Sequence, residues 1–150
     1  MYRLDYKRCA WITRNKYGDW RRASVNEALT NARNKYAAVD ATRELMASVD
    51  DRITALQLRD ARPDTHGGPL TDDERDELNW LIERADMLQD EFDEWHNDLL
   101  ARTRINWKLW RYAGGDMCAL KREAASHGDW ELVERIRRYG RRHNITALIA

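Results

Sequence analysis

The sequence predicts a mainly α fold: a long antiparallel helical hairpin over about residues 25–60 and 72–113, short C-terminal helices, and a small N-terminal β-hairpin packed at one end. Three observations carry this. Apolar residues recur at helical spacing through two long stretches, each opened by a capping box. Between them lies "ARPDTHGGPL", residues 61–70, whose Pro63, Gly67, Gly68 and Pro69 forbid helix. Finally, "DEFDEWHNDLLARTRINWKLWRY", residues 90–112, changes from acidic to basic while its apolar spacing continues.

The first 23 residues carry "CAWITRNKYGDWRRAS", aromatic and β-branched residues around Asn15 and Gly18, which reads as a hairpin. Tyr2, Tyr6, Cys9 and Thr13 also fit one helix face. Two strands alone are marginal in water, so this segment must pack on a helix. "SVNE" at 24–27 then starts the first helix, with the Ser24 side chain taking the Glu27 N–H. Val25, Ala32, Val39, Met46 and Ile53 fall seven apart, with Ala28, Thr42, Val49 and Leu56 in the second seam; Lys35 interrupts it.

"TDDE" at 71–74 opens the second helix, with acids in its first turn where the helix dipole favours them. Its stripe is Leu78, Ala85, Phe92 and Leu99, with Leu81, Leu88, Trp95 and later Leu109, up to Gly114 and Gly115. Trp80 and Met87 lie off that stripe, as do Leu45 and Leu58 on the first helix. Each helix is roughly 50–60 Å long at 1.5 Å per residue, and so short a joining loop makes them antiparallel. Asp116 caps "MCALKREAAS", which stops at Gly128; Asp129 caps "WELVERIRRY", which stops at Gly140; "NITALIA" closes the chain.

"ALKREAASHGDWELVERIRRYGRRHN", residues 119–144, resembles an ankyrin repeat, with "AASHGDWELVERI" standing where that family has two small residues, a Gly and its second helix. The family's Thr-Pro opening is replaced by "DMCAL", and no second full copy follows. The resemblance therefore implies only a tight helix pair over 117–140, since one repeat cannot bury its own faces. The whole chain, small and rich in Trp and Arg, is similar in character to orphan proteins of phages and mobile elements.

A chain of 150 residues suits one domain, divided here into an N-terminal segment (1–23), the hairpin (24–113) and C-terminal helices (116–150). The zero net charge is a cancellation of blocks. Residues 1–35 hold nine Lys/Arg and three Asp/Glu, residues 36–100 six and eighteen, and residues 101–150 eleven and five. Folding the helices back on each other puts the basic blocks at one end and the acidic block at the other, which answers why the second helix changes sign. Such asymmetry points to electrostatic partners.

"MYRLDYKRCAW" has charges where a secretory signal needs an apolar core, and no apolar run approaches the ~20 residues of a bilayer span. A cytoplasmic protein without membrane contact is expected. Cys9 and Cys118 make neither a disulfide framework nor a metal spacing. Asp93 and His96 share the i, i+3 spacing of a helical metal pair, but no second pair faces them; His66 in "DTHGG" has no companion ligand either. No nucleotide-binding, hydrolase or zinc motif occurs. The expectation is no metal, no cofactor and no enzyme activity.

What remains is an interaction protein. Its acidic arm, with Asp76, Trp80, Glu83, Asp86, Met87, Asp90, Asp93 and Glu94, is expected to contact a protein partner with a basic surface. An inhibitor or adaptor filling a nucleic-acid-binding groove fits that description. A homodimer that buries Trp80 and Met87 is a second expectation. The alternative is nucleic-acid binding through Arg21, Arg22, Arg104, Trp107, Lys108, Trp110 and Arg111, in "DWRRAS" and "WKLWRY". The same tryptophans also suit a core beneath the terminal segments.

Overall fold

The computed structural model describes residues 1–64, 67–101 and 106–150 and is mainly α, with one small sheet. His66 and Arg104 lie outside the described residues.

Three antiparallel strands, β1 (Tyr2–Asp5), β2 (Ala10–Arg14) and β3 (Trp20–Ala23), form a sheet in that order. The expected hairpin is β2–β3. Asn15 turns it, its side chain accepting the N–H groups of Tyr17 and Asp19 at 2.9 and 3.0 Å. β1 extends it to three strands. Leu4, Trp11 and Ala23 stand in register on one face, beside Tyr2, Thr13 and Arg21. The third strand supplies what a lone hairpin lacks in water. The face is docked by polar ties: Trp11 Nε1 donates to Thr42 Oγ1 at 3.0 Å and the Tyr2 hydroxyl donates to Glu27 at 3.0 Å.

The expected helix over 25–60 is instead two helices, α1 (Val25–Asn31) and α2 (Lys35–Ala61). Ser24 caps α1 as anticipated, accepting from Glu27 N–H at 3.0 Å. Ala32 then turns extended, and the Asn34 side chain caps α2 by accepting from Ala37 N–H at 3.1 Å. Lys35, which interrupts the heptads, ends α1: its ammonium donates to the Leu29 and Thr30 carbonyls at 3.2 and 2.7 Å. Val39, Thr42, Val49 and Leu56 are buried where the heptads place them; Leu45, expected off the stripe, is fully buried with them, whereas Met46 and Ile53 are only half-buried.

α3 (Asp72–Ala101) opens with a reciprocal capping box. Thr71 Oγ1 accepts from Glu74 N–H, and Glu74 accepts from Thr71 N–H, both at 3.2 Å. Leu78, Leu81, Leu88, Phe92, Trp95 and Leu99 are buried at alternating spacings of three, four and seven, one face of the helix. Arg52 pairs with Glu77 at 2.9 Å, and seven residues later Arg59 pairs with Glu74. Arg75 reaches Asp60 at 3.2 Å. Nearer the sheet, Glu91 receives Arg22 at 2.6 Å and the Val25 N–H at 2.9 Å, and Asp98 receives Asn26 at 2.9 Å.

Four helices complete the chain: α4 (Trp107–Tyr112), α5 (Met117–Ser126), α6 (Trp130–His143) and α7 (Thr146–Ile149). The sequence pattern runs one helix to 113, but α4 has its own start, where the Asn106 side chain accepts from Leu109 N–H at 3.0 Å. Asp116 and Asp129 cap α5 and α6 as expected. Gly140 does not stop α6. The helix runs through it to His143 and ends on Asn144, which is left-handed at φ +56°. Gly140 is there for contact: a Cβ on it would sit 2.7 Å from the Leu148 Cβ. α5, α6 and α7 pack on one another around Met117, Val133, Ile136 and Leu148.

The chain divides into two compact units, Met1–Asp98 and Leu99–Ala150. No described helix is long and apolar enough to cross a membrane.

Candidate interaction surface

On α3 the positions 76, 80, 83, 87, 90 and 94 recur every three or four residues, so they form one line along the helix. That line lies on the side away from the buried seam. Its occupants are Asp76, Trp80, Glu83, Met87, Asp90 and Glu94, and every one is exposed. Acids thus alternate with two large apolar side chains, Trp80 and Met87, each 39% exposed. Asp86 and Asp93 are exposed too but lie to one side of the line.

Arg84 joins the two apolar residues. Its guanidinium stands 5.0 Å from the Trp80 ring centroid, and its Nη1 is 3.4 Å from the Met87 sulfur. Sequence reading misses this residue, although its i+4 and i−3 spacing from Trp80 and Met87 is visible there. The ridge therefore carries one cation, held against its own aromatic ring, among four carboxylates. Asp93 accepts from Gln89 at 2.9 Å, and among the described residues no three His, Cys, Asp or Glu side chains gather as a metal site.

The basic positions are placed differently from one another. Arg21 is paired with Glu27 at 2.6 Å, and Arg22 with Glu91 at the same distance. The Arg21 guanidinium holds the Glu27 carboxyl below the usual carboxylate range, with the Tyr2 hydroxyl adding to the effect. Both arginines are thus engaged inside Met1–Asp98. Trp110 is only 4% exposed and lies flat against Gly115, where a Cβ would come within 2.4 Å of its ring. It is core. Trp107 is half-buried, while Lys108 and Arg111 are exposed. Trp107 meets Trp110 edge-on at 5.8 Å and Tyr139 at 6.3 Å. Sequence reading also passes over the α6 residues beside Trp107, namely Arg135, Arg138, Tyr139 and Arg142. The run "RIRRYGRRH" is the available signal.

No protein-family model matches the chain, and neither a curated protein nor a solved structure matches it significantly.

Proposed function

We propose that the chain is a non-enzymatic interaction module whose α3 ridge docks on a protein partner with a basic, apolar-pocketed surface. The observation that carries this is the alternation of Asp76, Glu83, Asp90 and Glu94 with Trp80 and Met87 on the outward side of a long helix. Charge of one sign steers encounter and sets orientation, while a Trp and a Met supply apolar area to bury. Arg84 would leave the Trp80 face when a partner fills it. α2 and α3 in this reading form the two limbs of an antiparallel hairpin, a rigid stem for the ridge; the reversed order of the Arg52–Glu77 and Arg59–Glu74 pairs supports that. An inhibitor or adaptor occupying a groove built for nucleic acid is the role such a surface suits.

A second copy of the chain is the less favoured occupant. A twofold pairing through this line sets its four carboxylates toward their own symmetry mates, and like charges in apposition cost affinity.

The test uses Asp76→Lys, Glu83→Lys and Asp90→Lys together. These side chains are exposed, so circular dichroism should stay unchanged. The immobilised wild-type chain should retain a protein from its host extract, and the purified pair should weaken as salt rises. The triple variant should lose that protein. Equal retention by the folded triple variant overturns the reading.

A further inference from the structure

Two short segments of the C-terminal unit repeat one pattern. "KLWRY" at 108–112 lies on α4, and "RIRRY" at 135–139 lies on α6. Each has a base, a second base three residues on, and a tyrosine next to it. At helical spacing the three share one face. α6 extends its face one turn further with Arg142.

The two patterns meet at Tyr139. On one side is a cleft of about 180 Å³ lined by Trp107, Arg135, Arg138, Tyr139 and Arg142. On the other is a cleft of about 500 Å³ lined by Lys108, Arg111, Tyr112, Tyr139, His143 and Ile145. Tyr139 belongs to both. Five Lys/Arg side chains and a histidine line them, and no carboxylate does. The nearby Glu134 is occupied by Arg141 at 2.7 Å, which holds its carboxyl below the usual range and so keeps it charged and paired. Arg138, Arg142, Lys108 and Arg111 are exposed, and none of them forms an ion pair among the described residues.

Aromatic rings line the same clefts. His143 lies 4.3 Å from the Tyr139 ring, and the Arg135 guanidinium lies 5.9 Å from the Trp107 ring. A polyanion of simple type would need only the cations. A chain in which each phosphate carries a flat base uses both.

We infer that this double cleft of α4 and α6 binds single-stranded nucleic acid, with phosphates on Arg138, Arg142, Lys108 and Arg111 and one base stacked at Tyr139. Single strands are favoured because duplex bases are already stacked, while unpaired bases present a free π-face. The inference is independent of the α3 ridge. It also relocates the nucleic-acid reading of "WKLWRY": Trp107, Lys108 and Arg111 stay, Trp110 leaves, and α6 supplies the larger part.

The test measures anisotropy of fluorescein-labelled 15-mers, dT and U, on the whole chain. Both should bind, any difference between them reporting the 2′-hydroxyl and the thymine methyl together. Three to four neutralised phosphates predict about a 20- to 50-fold loss of affinity between 50 and 200 mM salt. Arg138→Glu with Arg142→Glu, both exposed, should reduce binding more than tenfold with the helix signal intact. Tyr139→Leu should cost about 5- to 150-fold, the range for one stacked base. Inorganic polyphosphate should compete poorly per phosphate, and a 15-base-pair duplex should bind more weakly than either single strand. The inference is overturned if the folded chain binds neither 15-mer at 50 mM salt. It is equally overturned if the double arginine variant binds as the parent does. Duplex or polyphosphate binding as tight as the single strands would reduce the cleft to plain charge attraction and also sink it.

Discussion

Gly140 shows how one missing methyl group is used. In the middle of a helix, Gly costs about 1 kcal/mol relative to Ala, so Gly140→Ala ought to stabilise on propensity alone. The added Cβ would, however, meet the Leu148 Cβ at 2.7 Å and the Ile145 carbonyl at 3.2 Å. Neither atom is the free end of a flexible side chain. Overpacking of this kind costs about 1–3 kcal/mol, enough to outweigh the gain in helix propensity. Gly140→Ala is expected to destabilise by about 1 kcal/mol and lower the calorimetric midpoint, with loss of α7 packing. A raised midpoint would mean that α7 moves aside freely. Trp110 over Gly115 follows the same logic: the tryptophan is core because the glycine lets it lie flat. Sequence composition could show that Trp and Arg interleave here, but not which ring goes inward, since burial of Trp110 depends on a contact five residues away.

At the scale of the element, what was legible depended on whether the signal was local. Both capping boxes, Ser24–Glu27 and Thr71–Glu74, could be read because four residues contain the whole interaction. The α3 seam could be read because 30 uninterrupted residues let the period accumulate. The break at 32–34 had one local sign, the Asn34 cap, but Ala32 and Arg33 carry no breaker chemistry and the Lys35 ammonium reaches back to two carbonyls. Leu45 was misplaced because the buried face of α2 is wider than the two-residue heptad seam. β1 was illegible for another reason: Tyr2 and Leu4 fit a strand or a helix until Trp11 and Thr13 stand beside them. Of the surface, the exposure of Trp80 and Met87 followed from their place off the α3 seam, whereas α6 was overlooked because its arginines declare a face only when α4 lies against it. Glu74 offers an element-level prediction. It caps α3 and pairs with Arg59, and that guanidinium holds its carboxyl below the usual range. A depressed carboxyl stabilises fully above the ordinary carboxylate range and loses its contribution as pH falls through the lowered value. Glu74→Gln should therefore lower the urea midpoint at pH 7, with the gap to wild type closing toward pH 3. A gap that is constant with pH would show that charge plays no part.

For the whole molecule, zero net charge conceals strong local fields, and the structure shows part of the basic N-terminal block spent on α3 through Arg22 and Glu91. In the proposed reading the acids of the ridge face a foreign partner, not a second copy. Sedimentation equilibrium should accordingly find a 17.8 kDa species at micromolar concentration, at low and high salt alike. A doubled mass that Trp80→Glu halves would instead assign the ridge to self-pairing.

Glu91 also sets an order of events during synthesis. The first N–H of α1, on Val25, is received by a carboxylate 66 residues further along the chain. A nascent chain emerging from the ribosome can form the β2–β3 turn at once, and can dock Trp11 on Thr42 soon after. It cannot supply the Glu91 acceptor to the Val25 N–H until most of α3 has been made. Contacts this distant in sequence slow folding, because loop entropy is lost before any contact repays it. Until residue 91 is made, the start of α1 has only its local Ser24 cap.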